Sequence, residues 1–316
     1  WAARGVCKIA TLRADYARAA RTRNQQMNHS SLDQFRTNAM RNPLGKGPFA
    51  IVIAEDATEL ASTLDHATHL GFRRIFLLAP EDVEMPEAVA DPDIIDVIRH
   101  PTRQPGTAQA AVNTLIKLVP GEWIHFCYNA EYLFFPFCEQ RRVGEALAFV
   151  TEERRNSVLG YVVDLYAEDL TTCPNAVSLE TAHLDSSGYY ADTRRNDHDQ
   201  VLERQLNFYG GLRWRFEEHV PQAKRRIDRP ALFQAVEGLY LRGDNTLSIE
   251  EMNTYSCPWH HSLSAAVCSF RVAKALRSNP GSRHDVDSFR WHKSARFYWS
   301  SRQLMELGLM EPGQWF

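Results

Sequence analysis

The 316-residue sequence predicts an α/β fold: a mostly parallel sheet with helices on both faces, a helical extension before it and a less regular half after it. Three observations carry this expectation. Short apolar runs alternate with amphipathic stretches from Phe49 to Tyr128. Gly and Pro punctuate the junctions, as in Gly71 and Pro120-Gly121. Beyond Pro136 the alternation loses its regularity. Strand and helix repeating at this spacing build a parallel sheet with ligands at the strand C-terminal ends.

The elements follow in order. Residues 1–47 read as a basic helical extension and linker. Eight Lys or Arg stand between Trp1 and Arg41 against two acids, in an Ala-rich, helix-prone context. Packing on the body or a neighbouring subunit is the plain reading. A membrane-surface or nucleic-acid arm and a targeting segment are the alternatives. The breaker cluster Asn42 to Pro48 leads into a main domain over 48–316. Phe49–Ala54 reads as a buried strand. Thr58–Leu70 reads as a helix, with Leu60, Leu64, Ala67 and Leu70 near one face and Gly71 as its stop. Arg74–Ala79 and Asp93–Arg99 read as strands, Thr107–Val119 as an amphipathic helix and Trp123–Tyr128 as the fourth strand. Further on, Ala146–Thr151 and Val158–Leu165 read as strands, Asp164–Asp199 as a polar loop, and Ser264–Arg277 and Asp287–Leu307 as helices.

Composition is that of an ordinary globular chain, 44% hydrophobic and 24% charged. No apolar run approaches the roughly 18 residues that span a bilayer. Six scattered cysteines suggest no disulfide framework, so reduced thiols and a cytoplasmic location are expected. A net charge of −3 gives no global attraction to nucleic acid.

Several segments, taken together, resemble the bacterial family-2-type glycosyltransferases of the GT-A fold. Glu55-Asp56-Ala57, followed by Leu70-Gly71-Phe72, is similar to that family's Asn-Glu-Ala start and Leu-Gly-Phe element. Trp123 to Pro136 has the outline of its Trp-apolar-Asp-x-Asp-Glu-Phe-apolar-Pro segment. Asp164-Leu165-Tyr166 is similar to its Asp-Met-Tyr element, and Gly210 to Phe216 to Gly-Gly-x-Arg-x-Arg-Phe. Cys268-Ser269-Phe270-Arg271 stands where it has Leu-His-Phe-Lys. The resemblance spans about Ile51 to Tyr298. It implies a GT-A-like domain that takes a nucleotide-sugar donor, of UDP type, and a glycan or small-molecule acceptor.

Departures fall on the polar positions. The second strand ends in Ala79-Pro80 instead of Asp-Asn, the paired aspartates become Tyr128 and Ala130, and the late His and Lys become Ser269 and Arg271. Two aspartates normally hold Mg²⁺ or Mn²⁺ against the diphosphate through hard oxygen ligands. Here Glu131 is left as a single weak ligand, so no metal site is expected. Arg213, Arg215 and Arg271 are the candidate phosphate clamp, since guanidinium binds phosphate at two points. Glu55 and Asn129 complete the candidate donor site. Glu131 and Asp164 are the candidate general bases for an acceptor hydroxyl. Tyr166, His260 and His261 are candidates for the acceptor cleft. For Arg213 and Arg215 the competing reading is a surface ion pair with acids such as Glu217 or Glu218.

Two further patterns carry less. Cys257 to His261 with Cys268 lacks the paired short spacings of a zinc site. The aromatic-basic stretch from His284 to Trp299 suits basic stems packed over aromatic residues, with peripheral membrane or partner contact as the alternative. Two functions from different classes remain. One is a sugar transferase with an atypical site. The other is an inactive relative serving as a binding or assembly module, with a protein partner or a second copy.

Overall fold

In the computed structural model, which describes residues 28–86 and 94–315, a mixed sheet forms the centre of the fold. Most of the basic extension, residues 1–27, and the start of the expected third strand lie outside the described residues. The elements are β1 (Asn28–His29), α1 (Leu32–Arg41), β2 (Phe49–Ile53), α2 (Leu60–Leu70), β3 (Arg74–Ala79), β4 (Ile95–Arg99), α3 (Thr107–Leu118), β5 (Trp123–Tyr128), β6 (Glu131–Phe134), α4 (Val143–Glu152), β7 (Ser157–Ala167), β8 (Ala182–Asp185), β9 (Tyr190–Arg195), β10 (Val201–Tyr209), the short α5 (Leu212–Arg215), β11 (Asp228–Gln234), β12 (Ala265–Ser269), α6 (Arg271–Ser278), β13 (Ser294–Arg296) and α7 (Ser301–Glu306).

The sheet runs β1-β4-β3-β2-β5-β11-β7-β12-β6. The first five strands are mutually parallel, β11 is antiparallel to both neighbours, and β7 and β12 are parallel again. Side chains of β2 alternate between two cores. Ala50 and Val52 meet Leu60 and Leu64 of α2 and Val143 and Leu147 of α4. Phe49, Ile51 and Ile53 meet Phe35 of α1 and Val112 and Leu115 of α3. A strand buried on both faces needs a continuous apolar run, which is what Phe-Ala-Ile-Val-Ile supplies.

Four expectations change. Residues 146–151 belong to helix α4, not a strand. Its buried positions Val143, Ala146, Leu147 and Val150 recur at helical spacing once the window opens to ten residues. Ser264–Arg277 divides into strand β12 and helix α6. Five consecutive buried residues, Ala265 to Ser269, fit a strand covered on both faces and not an amphipathic helix. Asp287–Leu307 is not one helix but the short β13, α7 and irregular chain. Phe289 and Phe297 are buried there while Arg290, Lys293 and Tyr298 are exposed. The polar stretch after Asp164 holds β8 and β9, so it is less irregular than its composition suggests.

Strand order places the candidate site. From β2 the chain winds outward through β3 and β4, and β5 then pairs with the opposite edge of β2. The gap beyond Ile53 and Tyr128, which are register partners, is a topological switch point.

Candidate functional site

At the switch point the loop after β2 carries Glu55 and Asp56, and the turn after β5 carries Asn129 and Ala130. Helix α6 reaches across from the far side. Arg271 donates to Glu55 at two points, Nε to Oε2 at 2.8 Å and Nη2 to Oε1 at 2.6 Å. The same guanidinium lies 3.6 Å from the centre of the Tyr128 ring. One helical turn on, Lys274 Nζ donates to Asp56 Oδ2 at 2.7 Å. Burial works to raise the Asp56 pKa, but the Lys274 bond and charge outweigh it and hold the carboxyl below its usual range. Asn129 is buried and fully used. Its Oδ1 accepts from Glu55 N at 2.9 Å, and its Nδ2 donates to Asp56 Oδ1 at 2.8 Å and Thr58 O at 2.9 Å.

Glu131 begins β6 and is buried, not held at an open strand mouth. Its Oε2 accepts from Arg229 Nη2 at 2.6 Å and Tyr128 N at 2.9 Å, and its Oε1 accepts from Ser269 Oγ at 3.0 Å. Burial would raise this carboxyl. The charges of Arg229 and Arg271, with those hydrogen bonds, prevail and bring it down to about 2. Sheet register sets Asp164, Ser269 and Glu131 abreast on β7, β12 and β6.

Asp164 has a different environment. It is buried, and burial pushes it up to about 6 despite Arg213. The Arg213 contacts are long, N to Oδ2 at 3.3 Å and Nε to Oδ1 at 3.4 Å, while Asp185 adds like charge. Arg213 also donates to Arg226 O at 2.9 Å. The glycine pair before it is a packing requirement. A Cβ on Gly210 would lie 2.2 Å from the Tyr189 ring, and one on Gly211, at φ +62°, would lie 3.0 Å from Asp164 Oδ2. The buried Tyr189 hydroxyl has no hydrogen-bond partner among the described residues.

The remaining candidates separate. Arg215 binds Asp185 at 3.0 Å and 3.2 Å and Phe289 O at 2.7 Å. Tyr166 donates to Asp185 Oδ1 at 2.6 Å, and Trp291 Nε1 reaches the same oxygen at 2.8 Å. Asp185 thus gathers three side chains that sequence reasoning did not connect. His260 and His261 are not with Tyr166. They follow Cys257 and Pro258 near the N-terminal end of β7, where His260 Nε2 meets Glu153 Oε1 at 2.7 Å and His261 meets Glu311 at 3.3 Å. Sequence reasoning also missed Arg229, Asp228 and Asp185. The only sequence signal was charge set inside apolar strands, as in Asp228-Arg229-Pro230-Ala231-Leu232.

The divalent cation that the resemblance implies does not fit these residues. Tyr128 and Ala130 present no carboxylate, and both oxygens of Glu131 are bonded within the protein. Among the described residues no three His, Cys, Asp or Glu side chains are grouped to share a metal ion.

No protein-family model matches the chain. No curated protein matches it. Solved structures give faint likenesses. HddC from Yersinia pseudotuberculosis is 10% identical over 71% of this chain and 91% of its own, with a TM-score of 0.31. UDP-glucose pyrophosphorylase from Acinetobacter baumannii is 8% identical over 60% and 89%, with a TM-score of 0.29. UTP-bound UGPase from Acinetobacter baumannii gives 8% over 59% and 88%, with a TM-score of 0.28. At such scores the likenesses say nothing about what this chain binds.

Proposed function

We propose that this chain is a glycosyltransferase-like protein whose donor crevice is closed by its own side chains. It works as a binding or assembly module, with a protein partner or a second copy, and not as a metal-dependent sugar transferase. One observation carries this reading: Arg271 covers Tyr128 while clamping Glu55 at two points. A nucleotide diphosphate entering at the strand ends would have to displace two charge-assisted hydrogen bonds. The nearby carboxylates Glu55 and Asp56 are already paired with Arg271 and Lys274. The backbone still has the shape of a carboxylate-bearing turn. Ala130 sits at φ +61°, a conformation that Asp and Asn adopt more readily than Ala.

A second reading, sugar transfer without a cation, draws on Asp164. A carboxyl at about 6, abreast of Glu131 and beside Arg213, is poised for proton transfer near neutral pH. In that reading Arg271 lets go of Glu55, and Arg213 and Arg271 take the diphosphate of a UDP-type donor.

Nucleotide release from UDP-, GDP-, CMP- and dTDP-sugars, with and without Mn²⁺, separates the two. The module predicts rates no higher than a protein-free control. Release that disappears in both Asp164→Asn and Arg213→Ala would overturn it in favour of transfer.

A further inference from the structure

The Arg271 guanidinium at the switch point is held from two sides. Its Nε and Nη2 edge donates to the two oxygens of Glu55 at 2.8 Å and 2.6 Å, and its central carbon lies 3.6 Å from the centre of the Tyr128 ring. An aromatic face attracts a cation by itself, so the ring orients the guanidinium independently of the carboxylate. Glu55 has no such second hold. Its two carboxylate oxygens bond to no other group among the described residues, and its side chain is 24% exposed. The backbone beneath it is fixed, with Glu55 N donating to Asn129 Oδ1 at 2.9 Å and Glu55 O accepting from Arg103 Nε at 2.7 Å. The side chain can therefore turn to solvent while the loop stays in place. Asp56 differs, because Asn129 Nδ2, Thr58 N and Lys274 Nζ all donate to it. With Glu55 turned out, Arg271 and Lys274 face Asp56 alone, and the mouth of the crevice is left positive.

We propose that the Glu55 side chain is a displaceable plug, an internal carboxylate standing where Arg271 would bind the phosphate or carboxylate group of an external ligand. The inference rests on the reading of the crevice as closed by its own side chains, and adds which side chain opens it. The chemistry selects an oxyanion. The Nε and Nη2 edge of a guanidinium presents two parallel N–H groups, which a carboxylate or a phosphate meets with two oxygens. Plug and ligand exclude each other, because both need the same two N–H groups. The tethered carboxylate is always beside its partner, so the closed form prevails in the wild-type chain. Arg271 and Tyr128 keep the receptor in shape behind it, which makes the crevice self-inhibited and not merely filled.

The test is calorimetric titration of the full chain with inorganic phosphate, pyrophosphate and acetate, at low ionic strength because salt screens such pairs. The wild-type protein should give no saturable heat. Glu55→Ala should bind at least one of the three saturably, and the order among them tells phosphate from carboxylate. Adding Arg271→Ala to that variant should weaken the binding by about tenfold or more. The same anion should raise the melting temperature of Glu55→Ala and not that of wild type. Circular dichroism verifies the fold. Should Glu55→Ala not fold, Glu55→Gln, which keeps the volume and removes the charge, takes its place in the same titrations. A folded plug variant that binds none of the three anions would overturn the proposal and leave the closed crevice standing. Anion binding indifferent to Arg271 would overturn it as well. Wild-type binding as tight as that of Glu55→Ala would overturn both the plug and the closed crevice.

Discussion

Glu131 and Asp164 stand one strand apart on either side of Ser269, yet their surroundings push them in opposite directions. Glu131 is held down to about 2, from an ordinary 4.5. Its contribution is complete above pH 4.5 and lost as pH falls towards about 2, amounting to about 3 kcal/mol. Asp164 is held up to about 6, from 3.8. The sign therefore reverses: its contribution is complete below about 3.8 and lost as pH rises through about 6, again on the order of 3 kcal/mol. Urea unfolding across pH 2–7 should show Glu131→Gln flattening the acid limb and Asp164→Asn flattening the slope between pH 4 and 6. Equal slopes in wild type and both variants would show that neither carboxyl is shifted. The sequence offered both acids as candidates. It could not show their shifts, because Arg229 pairs with Glu131 from 98 residues away and burial depends on the whole sheet.

Among elements, those set by a clean period were legible. Trp123–Tyr128 and Arg74–Ala79 fall where the apolar runs placed them, and Thr107–Leu118 differs by one residue. The reading failed where a short window suited both structures, as in residues 146–151, or where a buried strand ran straight into a helix, as at Ser269 to Arg271. The paired glycines 210 and 211 were legible as a motif, but their cause is contact: one packs on Tyr189 and the other on Asp164. Gly210→Ala should therefore destabilise the fold by about 1–3 kcal/mol in denaturant unfolding, through overpacking against Tyr189. In a Tyr189→Ala background the same Gly210→Ala substitution should cost less, as a double-mutant cycle would read. An unaltered midpoint for Gly210→Ala would show that the glycine is not required by this contact.

For the molecule as a whole, the strand order puts a switch point between β2 and β5, where open α/β sheets bind ligands. Of the residues that the resemblance singled out, Glu55, Asn129, Glu131, Asp164 and Arg271 lie towards the C-terminal strand ends, while His260 and His261 lie at the other end of β7. Those five are bonded within the protein, to one another or to neighbours such as Arg229, Ser269 and Arg213. Sequence showed which types were present and which carboxylates were gone. It could not show that Arg271, 216 residues from Glu55, would return to clamp it. The most direct measurement is calorimetric titration of UDP-glucose into the wild-type protein, with and without Mn²⁺. A closed crevice predicts no saturable heat in either condition. Saturable binding that strengthens with Mn²⁺ would contradict it, because the cation would then have found the carboxylates that this site keeps for itself.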